Sequence, residues 1–120
     1  MKAILVLLLA AGQALGAVAS FYGHSHEGRL MANDRPFNPH ALTAASWFYP
    51  LGSVVYVTCG ARTVRVQVTD RGPALRLVRQ GRVIDLSEAA FERIADKRLG
   101  LVPVKIEPAV RPPSRASDRR

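Results

Sequence analysis

The segment from Arg62 to Ser87 limits what this chain can fold into more than any other. Val64, Val66 and Val68 alternate with Arg65 and Gln67, the period of two that a strand shows when one face is buried and the other is wet. The run delivers Thr69-Asp70-Arg71-Gly72-Pro73 into a turn. Proline has no N–H for a ladder and glycine adopts backbone angles closed to other residues, so the strand stops and Asp70 stands just past its end. The result is one carboxylate on a rigid stalk. Asp beside Gly-Pro is also ordinary turn chemistry, and a purely structural Asp70 fits these residues equally well. A second acidic segment, Arg82-Val83-Ile84-Asp85-Leu86-Ser87, reads as a short apolar strand meeting a helix start. Asp85-Leu86-Ser87-Glu88 has capping-box spacing, with Asp85 accepting from first-turn N–H groups and Glu88 reaching back. Ala89, Ala90, Phe91, Ile94 and Ala95 supply the apolar face of the helix that follows, ending near Gly100.

Other strands are punctuated by the same chemistry. Val54-Val55-Tyr56-Val57-Thr58 is β-branched, and Gly60-Ala61 joins it to the strand from Thr63 as a hairpin. Ser20-Phe21-Tyr22-Gly23 is a short strand, and Val102, Val104 and Ile106 alternate in a last one. Met31 to His40 is a loop rich in turn formers. Trp47-Phe48-Tyr49 suits either core packing or stacking on sugar rings. The pattern is a small, mostly β domain whose edges are best removed by closing a barrel. His24, His26 and Glu27 are too few for a metal site, since His40 is isolated in sequence and such sites need three or four ligands. With no P-loop or dinucleotide fingerprint either, no metal and no cofactor are expected.

Met1-Lys2 precedes the apolar run Ala3–Ala11, which is shorter than the roughly 20 residues that span a bilayer. It reads as a signal peptide, with cleavage after Ala19 at Ala17-Val18-Ala19. No cysteine lies near that point, so no lipoprotein anchor is expected and the mature chain should be soluble, periplasmic or secreted. Cys59 is the single cysteine and excludes an intramolecular disulfide. A formal net charge of +8 calls for acidic partners; in an exported chain these are anionic envelope polymers and not nucleic acid. A solvated basic surface is the plainer alternative. Residues 108–120 are expected to be a disordered basic tail beyond a domain at 20–107.

Taken in order, Ala19-Ser20-Phe21-Tyr22-Gly23, Gly28-Arg29, Phe37, Ala41-Leu42-Thr43-Ala44-Ala45, Pro50-Leu51-Gly52, Val68-Thr69-Asp70-Arg71-Gly72-Pro73 and Ile84-Asp85-Leu86-Ser87 closely resemble the rare lipoprotein A family, over about Ala19 to Glu107. The resemblance implies a mainly β fold: a six-stranded double-psi β-barrel with one short α-helix and a glycan groove, similar to that of expansins. It also implies an endolytic lytic transglycosylase acting, as a monomer, on peptidoglycan strands. In such carbon–oxygen lyases the C6 hydroxyl of muramic acid attacks and leaves a 1,6-anhydro end. One acid/base carboxylate can then serve both proton transfers, where a hydrolase usually needs two carboxylates. Asp70 matches the family's aspartate in Asp-Arg-Gly-Pro. The family's glutamate and aspartate around Phe37, and its histidine after Leu-Thr-Ala-Ala, are Arg35, Asn38 and Ser46 here. Asp34, one residue from the glutamate position, and Glu27 are the substitute carboxylates. Tyr22, Ser46, Trp47 and Arg71 are the implied substrate contacts. A non-catalytic wall-binding module and an expansin-like loosening protein are the alternatives.

Overall fold

In a computed structural model, which describes residues 17–109, the β-branched runs become strands. These are β1 (Val18–Tyr22), β2 (Thr43–Ala45), β3 (Val54–Cys59), β4 (Arg62–Asp70), β5 (Arg82–Ser87), β6 (Val102–Pro103) and β7 (Lys105–Pro108). They form one curled sheet in the order β6-β1-β5-β2-β4-β3-β7. Two short helices, α1 (Leu75–Val78) and α2 (Glu88–Ile94), complete the frame. The expected hairpin is present: β3 and β4 pair from Val54↔Gln67 to Cys59↔Arg62. Its two-residue turn, Gly60-Ala61, uses a left-handed glycine with φ 60°. Parallel pairs link distant segments, β1 with β5 and β2 with β4, while β2 and β5 run antiparallel between them. This crossing brings the C-terminal ends of β1 and β4 beside β5.

The core follows the alternation. Val64, Val66 and Val68 are buried with Val55, Val57, Ile84 and Leu86, and α2 lays Ala90, Phe91 and Ile94 on them. Phe91 is fully buried and packs at 4.8 Å, ring centre to ring centre, against Phe21. Burial of a side chain that size stabilises by roughly 1.5–3 kcal/mol.

Three expectations shift. The last strand is split in two, for β6 pairs with β1 and β7 with β3. Between them Val104 N–H donates to Ala17 O at 2.9 Å. The sheet therefore has seven strands, and the segment after Pro73 adds α1. Asp85 is not the helix cap: β5 runs on through Ser87, and Ser87 Oγ accepts from Ala90 N–H at 3.2 Å. The parallel partnership of Ser20 with Asp85 and Tyr22 with Ser87 holds that backbone extended two residues longer than the capping box allows. The point after Ala19, where cleavage is expected, lies inside β1, and Ala19 is fully buried. Val18 and Ala19 are the residues that pair with β6. Cleavage between them and Ser20 would leave β6 without its partner. At the other end order extends past Glu107, with Ala109 N–H donating to Val54 O at 2.9 Å. The apolar run of the expected signal peptide and most of the expected basic tail lie outside the described residues. No helix among those described is long and apolar enough to cross a membrane.

Candidate functional site

Three strands deliver polar side chains to one cleft of about 450 Å³. Tyr22 is the last residue of β1 and Asp70 the last of β4, while Asp85 lies within β5. Asp70 Oδ1 accepts from two backbone N–H groups, Ala32 at 2.9 Å and Arg71 at 2.8 Å. Among the described residues no hydrogen bond reaches its Oδ2. Asp85 Oδ1 accepts from the Ser20 hydroxyl and faces Arg82 Nη2 at 3.5 Å, and Arg82 Nε donates to Ser20 Oγ at 2.8 Å. The two aspartates are close neighbours of one turn: a Cβ on Gly72 would lie 3.8 Å from Asp85 Oδ2.

The Tyr22 hydroxyl is buried and has no hydrogen-bond partner among the described residues. Burial raises its pKa far above the usual tyrosine value, and the charges of Asp70 and Asp85 raise it further. The phenol therefore stays neutral, a donor facing both carboxylates. Its ring is fixed against Phe37, with centroids 4.5 Å apart, and against the edge of His26 at 5.2 Å. Tyr22, His26 and Asp70 also line a second cavity of about 260 Å³, closed on its far side by Arg29, Leu30, Met31 and Phe37. Asp70 thus stands at the divide between two hollows.

Of the residues expected from sequence, Asp70, Tyr22 and Arg71 line the cleft. Arg71 points its guanidinium away from the carboxylates, Nη1 donating to Ser46 O and Tyr49 O, each at 2.7 Å. Ser46 is buried, its Oγ accepting from Phe48 N–H at 3.0 Å. Trp47 is half exposed and its Nε1–H donates to Pro73 O at 2.7 Å, which sets the indole on the rim of the cleft. These three clamp the turn from behind. Asp34 is an exposed left-handed residue (φ 69°) at a loop tip, and it lines neither cavity. Glu27 is exposed and also outside both. Arg76 and Arg79, which follow the Asp70 turn in sequence, are exposed and do not line the cleft; Arg82 does.

Asp85 is the residue that the sequence reading misplaced. Its signal was the alternation of buried Ile84 and Leu86 around it, which makes Asp85 the outward member of a strand. His40, isolated in sequence, comes beside His24 with ring centres 5.7 Å apart, and His24 Nδ1 lies 2.8 Å from Glu88 Oε1. Among the described residues no group of three or more His, Cys, Asp or Glu is placed to hold a metal.

Chemically, the cleft offers one half-free carboxylate, one carboxylate held by a hydroxyl and a guanidinium, and one neutral phenol. Such a set can bind hydroxyl groups and pass protons between them.

A family model described as lytic transglycolase matches residues 14–106. The endolytic peptidoglycan transglycosylase RlpA of Campylobacter jejuni is 35% identical over 102 residues, which is 83% of this chain and 36% of that protein. Across three such relatives the chain spans 24 to 36% of their length. Among solved structures, the apo expansin of Clavibacter michiganensis superposes with a TM-score of 0.61 at 26% identity, covering 80% of this chain and 50% of that one. The Streptomyces papain inhibitor gives 0.60 at 26% identity, covering 75% of this chain and 88% of its own.

Proposed function

Because this chain belongs to the lytic transglycolase family and has a double-psi β-barrel fold, we propose that it is an exported, peptidoglycan-active protein. Its reaction is endolytic lytic transglycosylation at the Asp70–Asp85 cleft. The observation that carries this reading is Asp70 itself. One of its oxygens is fixed by two backbone N–H groups and the other meets the cleft beside a neutral tyrosine. In this mechanism Asp70 protonates the glycosidic oxygen as the bond to C1 breaks, then takes the proton of the C6 hydroxyl as that oxygen bonds to C1. The proton count closes without water, and one group serves as acid and base in turn. Asp85, oriented by Ser20 and Arg82, stabilises positive charge building at C1. Tyr22 donates to a sugar oxygen.

The two hollows flanking Asp70 give room for sugar units on both sides of the cleaved bond, which suits an enzyme that cuts within a strand. Trp47 stacks on a sugar at the rim, while Arg71 and Ser46 serve by fixing the turn. Asp34 and Glu27 have no part in the proton transfers. A non-catalytic, expansin-like action on the same polymer is the second reading. It is favoured by Arg35 being exposed and Ser46 being buried, so that neither brings a further acid/base group to the cleft.

Incubation with purified sacculi, followed by mass analysis of the soluble products, tests the proposal. Products ending in 1,6-anhydro-muramic acid are expected. Reducing ends would indicate hydrolysis, and tight binding without soluble product would favour the second reading.

A further inference from the structure

The large aromatic side chains left exposed among the described residues are Trp47, Phe48 and Tyr56, and all belong to the stretch from the end of β2 into β3. Leu51, also exposed, lies between them in sequence. Burial of such rings is the usual outcome, and a cluster left in solvent marks a surface that meets something. Of these, Tyr56 lines a groove of about 510 Å³ together with Tyr49, Pro50, Arg65 and Pro108, and Phe48 directly precedes Tyr49 in the chain; the groove shares no lining residue with the Asp70 cleft.

The floor of that groove is rigid. Tyr56 is a strand residue paired across the sheet with Arg65 on one side and Glu107 on the other. Ser53 Oγ donates to Pro50 O at 2.6 Å, and Gly52 N–H donates to Val68 O at 2.7 Å, so the 50–53 turn is tied down. Rings carried on strands and tied turns lose little freedom on binding. The lining is also mixed in a way that suits sugars: flat faces for C–H groups, two phenol hydroxyls, and Arg65, which has no carboxylate within ion-pair distance among the described residues. A single segment connects the groove with the cleft. Ser46 O and Tyr49 O hold Arg71 of the cleft wall, Trp47 Nε1–H holds Pro73 O on the cleft rim, and Tyr49 and Pro50 line the groove.

We propose that this face is a second glycan-holding surface, which grips the polymer by stacking on Tyr56 and Phe48 and takes no part in bond cleavage. It rests on the reading of the chain as peptidoglycan-active. The occupant is the glycan strand and not a protein, because the segment 46–50 that walls this groove also holds Arg71 and Pro73 of the cleft proposed to cut that strand. A polymer held at two places dissociates more slowly than one held at the cleft alone.

The test uses the full chain with Phe48→Ala and Tyr56→Ala combined, since both residues are exposed and neither lines the cleft. Binding to sacculi is measured by co-sedimentation, and cleavage is measured separately on a soluble tetrasaccharide of the glycan. The proposal expects sacculus binding to weaken about tenfold for the loss of aromatic contacts, with tetrasaccharide cleavage at the wild-type rate. The same dependence should persist on sacculi stripped of their stem peptides by an amidase. Undiminished binding of the double variant overturns the proposal, as does a dependence that vanishes on stripped glycan, which would assign the face to the stem peptide. Equal loss of binding and cleavage also overturns it, since the face would then be part of the cleft. If wild-type protein neither binds nor cleaves either substrate, the functional reading falls first and this one with it.

Discussion

Tyr22 carries an unusual load for one side chain, because its hydroxyl is buried, unpartnered among the described residues and subject to the charges of Asp70 and Asp85. A buried hydroxyl without a partner costs about 1–3 kcal/mol. On the proposed reading its partner arrives with the substrate. Tyr22→Phe should therefore leave the stacking on Phe37 intact and raise the melting temperature, while weakening glycan binding or cleavage. A variant with lowered stability and full activity would show instead that the hydroxyl is structural. Glu88 makes the opposite case. A hydrogen bond from Lys97 lowers its pKa from 4.5 against the opposing effect of burial, and the nearby His24, Lys97 and His40 lower it further. A carboxyl with a depressed folded-state pKa stabilises above its unfolded value and loses that contribution as pH falls through the folded one. Glu88→Gln should thus melt below wild type at pH 7, the gap closing below about pH 4.5; a gap constant across a melting series from pH 3 to 7 would contradict it. Asp70 was legible because strand alternation and a Gly-Pro stop both fix its place. Asp85 was not, because two local patterns compete there and only the distant pairing with Ser20 decides between them.

At the scale of elements, β1 ties the residues on both sides of Ala19 into the sheet. Val18 N–H donates to Gly81 O at 2.8 Å, Ala17 O accepts from Val104 N–H at 2.9 Å, and Ala19 is fully buried. A chain started at Ser20 loses these bonds and the partner of β6. At about 0.5–1.5 kcal/mol per bond plus the buried methyl, it should be roughly 2–4 kcal/mol less stable than one started at Ala17. Urea denaturation of the two chains checks this, and equal midpoints would refute it. Ala17-Val18-Ala19 has the small residues of a cleavage motif, and Val18 and Ala19 also open β1. The β3–β4 hairpin needed no distant information, since its valines, turn glycine and register are all local. The split between β6 and β7 was hidden because each half pairs with a different strand far away in sequence.

For the molecule as a whole, the curled sheet serves to converge the ends of β1 and β4 on β5, and the chemistry sits where they meet. Fold class was readable from alternation and turn residues. The cleft lining was readable at Tyr22, Asp70 and Arg71 but no further, because the lobe beside it, Arg29 to Phe37, is held by backbone contacts that no side-chain pattern announces. Ala32 N–H on Asp70 Oδ1 is one, and Asn33 N–H on Thr69 O at 3.2 Å is another. Those contacts make Asp70→Asn a clean probe. The amide oxygen can still accept from Ala32 and Arg71, so the lobe stays in place, while the oxygen that carries the proton is replaced by a group that cannot. The decisive measurement is the rate at which wild-type and Asp70→Asn proteins release 1,6-anhydro-muropeptides from purified sacculi, with binding to the same sacculi measured alongside. A fall in rate of about 10²–10⁴-fold with binding unchanged is the predicted result, and release at the wild-type rate by a folded, bound Asp70→Asn protein would contradict it.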